Sequence, residues 1–117
     1  MLDHPLLSKS AESGLARRIK KGDREAAHEL VRHNARLAWV MAEQWAAGSR
    51  ERGAEAEDLF SVAIIAIYKA ADKFRPTKGS FARYAVFFIR DALRTETRKS
   101  MIVSDGPASA RDRRLRW

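Results

Sequence analysis

The sequence predicts an all-α protein, a compact bundle of about five helices, and three observations carry that prediction. Apolar residues recur at three- and four-residue spacings nearly throughout, while strand-like alternation is hard to find. The interruptions fall at helix-ending residues: Gly22, the run Gly48-Ser49-Arg50-Glu51-Arg52-Gly53, and Pro76. The chain has 117 residues, 45% hydrophobic and 32% charged, enough for one hydrophobic core and too few for two domains of ordinary size.

Each element has its own local warrant. Ser8 or Ser10 can cap a first helix that runs to about Lys21, with Gly22 as its stop. Asp23 caps a second helix, Arg24 to about His33. Asn34 marks either a join or a polar residue within a continuous run, before a third helix from Ala35 to about Ala47. The fourth helix, about Glu55 to Phe74, is the most apolar segment; its acidic start (Glu55, Glu57, Asp58) complements the positive end of the helix dipole. Pro76-Thr77-Lys78-Gly79 has turn composition, and Ser80 caps a fifth helix from Phe81 to about Lys99. Residues 1–101 thus form one helical domain, and 102–117 a basic, flexible tail broken at Gly106-Pro107.

Charge narrows the class. The formal net charge is +8 and the pI is near 10.4, which attracts polyanions, nucleic acid foremost. Between Arg75 and Met101 seven Lys or Arg stand against Asp91 and Glu96, and the stretch from Gly106 to Trp117 adds four arginines against Asp112. Glu51 to Asp58 is an acidic island. Cysteine is absent, which excludes disulfides, thiolate metal sites and thiol nucleophiles. No apolar run approaches the ~20 residues of a membrane span, and the N-terminus lacks signal-peptide character, so a cytoplasmic protein is expected.

On the fifth helix Phe81, Ala85, Phe88 and Ala92 share one face, with Ile89 beside them. Opposite them stand Arg83, Phe87, Arg90 and Arg94, with Arg98 one turn further. Phe87 is therefore expected outside, among guanidinium groups, and Phe88 inside. An exposed ring in a basic stripe suits base stacking with flanking phosphate contacts; the plainer reading is that Phe87 packs under another helix. The fourth helix is apolar nearly all round, since Val62, Ile65, Ala66 and Ala70 cover much of what Leu59, Phe60, Ala63, Ile64, Ile67, Tyr68 and Ala71 leave. Such a helix is either the centre of the core or a partner-binding surface. His28-Glu29 with His33 misses the zinc motif by one residue, so the histidines read as surface residues. No catalytic, metal or cofactor site is expected, and no enzyme.

The stretch Leu15-Ala16-Arg17-Arg18-Ile19-Lys20-Lys21-Gly22-Asp23, then Leu30-Val31-Arg32-His33-Asn34-Ala35-Arg36-Leu37, resembles the opening of the conserved helical domain, region 2, of sigma-70 family sigma factors. Glu57-Asp58-Leu59, Ala70-Ala71-Asp72-Lys73-Phe74 and Gly79 follow in order, then Tyr84-Ala85-Val86-Phe87-Phe88-Ile89-Arg90. The last is similar to that family's Tyr-Ala-x-aromatic-aromatic-Ile-Arg motif. The resemblance spans about residues 12 to 101 and implies a domain that docks on the β′ clamp helices of RNA polymerase core and opens the −10 promoter element. By the same resemblance Phe81 and Tyr84 would hold a flipped-out base of the non-template strand, and Phe87 and Phe88 would stand at the upstream edge of the bubble. Arg90, Arg94 and Asn34 would lie near the fork. Lys78, Arg83 and Arg98 join them as candidate DNA contacts. Asp58, with Ser61, Val62, Ile64 and Ile65, would face polymerase or another partner.

The chain also departs from the family pattern. Where the family has Gln-Glu-Gly-Asn after Asp-Leu, this chain has Ser61-Val62-Ala63-Ile64, which turns a polar docking surface apolar. Asp91 replaces a Gln that reads promoter bases; a carboxylate there would repel phosphate or prefer a cytosine amino group. After Ser100 too little chain follows for the helix-turn-helix domain that reads the −35 element. Three readings follow: a divergent or split sigma factor whose −35 domain comes from a second protein, a sigma-fold interaction module that binds a partner at the fourth helix, and an unrelated basic helical binder of nucleic acid.

Overall fold

The computed structural model describes residues 7–48, 55–76 and 79–104. Five helices account for nearly all of them: α1 (Lys9–Lys20), α2 (Arg24–His33), α3 (Ala35–Gly48), α4 (Ala56–Lys73) and α5 (Phe81–Ser104). No strand occurs among the described residues.

The helix ends follow from specific side chains. Ser8, rather than Ser10, caps α1 by accepting from the Ala11 amide at 3.1 Å. At the other end Gly22 adopts φ +92°, a left-handed conformation that side chains disfavour. Its amide donates to the Ile19 carbonyl, and the Asp23 amide donates to Arg18, the paired bonds of a Schellman stop. Asp23 then begins α2 by accepting from the Glu25 and Ala26 amides. Arg18 braces the same carboxylate at 2.9 Å, and this contact, with the amides, holds the Asp23 carboxyl below its ordinary range. Ser80 caps α5 through the Arg83 amide at 3.4 Å. α4 starts at Glu55 without a side-chain cap, leaving Glu57 and Asp58 to offset the dipole of its first turn.

Asn34 is the join. It ends α2, its amide donates to the Val31 carbonyl, and its side-chain amide donates to Leu30 at 2.8 Å. The α2 and α3 segments therefore follow one another with only a local break.

α4 is the central helix. It packs most extensively on α5 and α3, and also meets α2 and α1. It buries Leu59, Ala63, Ala66, Ile67, Ala70 and Ala71. α3 meets it with small residues, Ala35, Ala38 and Ala42. Large side chains fill the centre, chiefly Leu30, Ile67, Phe74, Phe81, Ile89 and Leu93.

Two sequence expectations are corrected for α5. The helix continues past Lys99 to Ser104, so helical structure runs into the start of the segment expected to be a tail. Its buried stripe is Phe81, Ala85, Ile89, Leu93 and Thr97, a strict four-residue step. Phe88 and Ala92, expected on the inner face, lie on its half-buried flank. The Gly106-Pro107 break and the arginine-rich end lie outside the described residues.

Candidate nucleic-acid and partner interface

α5 presents a basic face whose arginines all reach solvent. Arg83, Arg90, Arg94 and Arg98 are exposed, and Asp91 is exposed beside them. Phe87 is 67% exposed, the most exposed of the large apolar side chains among the described residues. The alternative that another helix covers this ring is therefore excluded within the described structure. Phe88, one residue on, is half-buried against the core and against Tyr84, ring centroids 5.1 Å apart.

Tyr84 is held in place. Its ring lies 5.8 Å from Phe74, and its hydroxyl donates to the Lys73 carbonyl at 3.3 Å. Part of the ring remains open to solvent, so an aromatic surface runs from Tyr84 toward Phe87 between Arg83 and Arg90. An exposed ring costs solubility unless something stacks on it, and cations around it attract an anionic backbone.

Two of the residues assigned to DNA by sequence are elsewhere. Phe81 is fully buried, edge-on to Phe74 at 5.1 Å, and is a core residue. It packs on Phe74, the same ring that Tyr84 meets, and cannot meet a base in this structure. Asn34 is 4% exposed and spends its side-chain amide on the α2–α3 join, so it too is removed from the contact set. Lys78 lies outside the described residues.

Polar contacts that sequence reasoning missed set the orientation of α5. Glu12, on α1, is 7% exposed, and its carboxylate accepts from the Phe81 amide at 3.0 Å across 69 positions of chain. That amide is one of the four that a helix start leaves without an internal partner. Near the far end, the Trp45 indole donates to the Thr97 hydroxyl at 3.3 Å, and Thr97 donates to the Leu93 carbonyl. A signal for Glu12 existed: it occupies an inward position in the series Glu12, Leu15, Ala16, Ile19, where an apolar residue would be expected.

The outer side of α4 is different. Asp58 and Ser61 are exposed, Val62 and Ile64 are half-buried, and Ile65 is 57% exposed. Burial on the inner side thus accounts for most of the apolar circumference, and the residual surface is an edge around Ile65 rather than a whole face. Ser61 donates to the Glu57 carbonyl within its own helix. His28 is exposed but not idle: its ring meets the Tyr68 hydroxyl at 2.6 Å. Among the described residues no cluster of His, Asp and Glu has the makings of a metal site, and no helix is long and apolar enough to cross a membrane.

The sigma-70 region 2 family model matches residues 30–101, from the end of α2 through most of α5. The chain belongs to the sigma-70 family. It is 38% identical over 88 residues to the RNA polymerase sigma-C factor of Myxococcus xanthus, covering 74% of this chain and 28% of that protein. It is 39% identical over 90 residues to the RNA polymerase sigma factor SigA of Clostridium acetobutylicum, covering 76% of this chain and 23% of the relative. The RNA polymerase sigma factor RpoS of Coxiella burnetii is 32% identical over 90 residues. The match spans about a quarter of the length of these relatives. The five-helix architecture is the one expected from the resemblance to this family's region 2.

Proposed function

We propose that this domain acts in transcription initiation, docking on RNA polymerase core through the outer side of α4 and holding the unpaired non-template strand of a −10 element along α5. The observation that carries the reading is Phe87, a ring left in solvent between Arg83 and Arg90 within the segment that matches the family. In this reading Phe87 stacks on a base at the edge of the bubble and Tyr84 offers a second, fixed ring. Arg90, Arg94 and Arg98 follow the backbone. Extruding a base costs a few kcal/mol, which stacking and phosphate contacts offset. Asp91 faces the same strand and disfavours phosphate beside it, so it biases which base sits there. On the polymerase side Asp58 supplies the charged contact, and Ser61, Val62, Ile64 and Ile65 the rest.

The test is promoter opening followed by a fluorescent base in the −10 element, using core polymerase and the full chain. Opening by wild type and its loss in Phe87→Ala and Tyr84→Ala, with both variants folded, is the expected result. Opening that persists in Phe87→Ala removes the stacking role.

The exposure of Ile65 favours a second reading, a sigma-fold module that regulates transcription through a protein bound at α4 without reading promoters. In that case Ile64→Asn breaks partner binding and leaves strand affinity unchanged.

A further inference from the structure

Between the α2–α3 segment and α4 lies an open groove of about 470 Å³. Val31 and Ala35 line one side, and Phe60, Ile64, Ile65 and Tyr68 the other. Both aromatic walls are already fixed. The Tyr68 ring stands edge-on to His28 at 5.5 Å, with their polar atoms bonded, and the Phe60 ring stands edge-on to Trp39 at 5.4 Å. A ligand would not have to order either wall, which removes a common cost of binding.

The length and charge of the groove select an occupant. Phe60 and Tyr68 are eight residues apart on one helix, or ~12 Å at 1.5 Å per residue, a little over two turns. That accepts three apolar anchors at i, i+4 and i+7 of a partner helix. No carboxylate lines the groove, whereas Arg32 and His28 do. Arg24, His28, Arg32 and Arg36 recur at four-residue steps along α2 and into α3, and all are exposed. Arg24 is committed to Asp72 at 3.4 Å. Among the described residues neither Arg32 nor Arg36 has an ion-pair partner.

We propose that this groove docks an acidic amphipathic helix of a protein partner. Its apolar anchors enter between Val31 and Ile64, and carboxylates one turn apart on its flank meet Arg32 and Arg36. The proposal rests on the reading that the outer side of α4 is a partner face, and it specifies that partner's chemistry. A helix with a cationic flank would leave four-spaced arginines facing like charge, and nucleic acid would leave the apolar walls unfilled.

Two synthetic helical peptides of about 18 residues decide it, one with a leucine ridge flanked by glutamates, the other with the same ridge flanked by lysines. Each is titrated into the isotope-labelled full chain and followed by amide shifts. The expected result is shifts at Val31, Ala35, Ile64 and Ile65, with the glutamate peptide bound about ten-fold tighter or more. Arg32→Glu with Arg36→Glu reverses the preference, and Ile65→Asp abolishes both bindings. Equal affinity for the two peptides, shifts mapping elsewhere, no binding of either at millimolar concentration, or Ile65-dependent self-association of the chain each overturns the proposal. Core polymerase binding by the same variants separates the two levels. Binding to core that ignores Ile65→Asp defeats the partner-face reading itself. Core binding that needs Ile65 but ignores the arginine changes, with no peptide preference, defeats only the acidic helix.

Discussion

α4 and α5 pack on each other at the centre of the bundle, yet their outward sides have opposite chemistry. α5 shows four arginines and one bare phenyl ring, whereas α4 shows an apolar edge around Ile65, with Lys69 one turn beyond it and a row of arginines on the neighbouring helix. The difference is one of mechanism. A ligand on α5 is drawn by charge and then stacks, so its affinity falls as salt rises. A ligand on α4 is driven by apolar burial with charge as a selector, so salt changes its specificity more than its affinity.

The largest expected contrast comes from truncating Phe81 and Phe87, two phenylalanines of α5 that the resemblance assigned to DNA and that the fold places in the core and in solvent respectively. Phe81→Ala removes a fully buried ring and is expected to cost about 3–5 kcal/mol of stability, measured by urea unfolding. Phe87→Ala is expected to leave the unfolding midpoint nearly unchanged while weakening single-strand binding by about 1–3 kcal/mol. Equal destabilisation by the two would mean that Phe87 is packed in solution and that the α5 face has no ring to offer.

Glu12→Ala comes next. Loss of the acceptor for the Phe81 amide, with burial of that amide, is expected to cost about 1–3 kcal/mol in the same measurement. Glu12→Gln keeps an oxygen at that position and should recover part of it. A Glu12→Ala variant as stable as wild type would show that α1 does not hold the start of α5.

The salt dependence separates the two sides directly. Arg90→Ala and Arg94→Ala should each lower the slope of log affinity against log salt for single-stranded DNA by about 0.7, by titration at several salt concentrations. Ile64→Asn should leave that slope untouched. A slope change from Ile64→Asn would merge the two faces into one site.

The smallest effect is at Asp23. Its carboxyl is held below its ordinary value by Arg18 and the α2 amides, so its contribution to stability is complete above the unfolded carboxylate pKa of about 3.9. That contribution is lost as pH falls through the lower folded value. Wild type should be more stable than Asp23→Asn at pH 7, and the gap in melting temperature should close in acid below about pH 4. No gap at pH 7 would mean that capping, which Asn preserves, is all that Asp23 provides.

Local chemistry made most of the fold legible. Ser8, Gly22, Asp23, Asn34 and Ser80 act within a turn of their own position, and their roles depend on backbone geometry that a short segment carries with it. The outward position of Phe87 was legible for a related reason, because helical periodicity alone puts it opposite Ala85 and Ile89. The family resemblance was legible in the ordered series of motifs. What the sequence by itself could not determine is which side chains meet across long separations. The phase of the α5 stripe shifted to Ile89 and Leu93 because α4 and α3 approach it from a direction that periodicity does not contain. Phe81 and Asn34 looked like contacts by position in a motif, and only packing shows that one fills the core and the other closes a helix join. The Glu12 bond to Phe81, the Trp45 bond to Thr97 and the groove between Val31 and Ile64 arise from residues 69, 52 and 33 positions apart. Those pairings were decided by tertiary structure, since burial rewards a buried carboxylate or an apolar wall only when the opposite helix brings its partner.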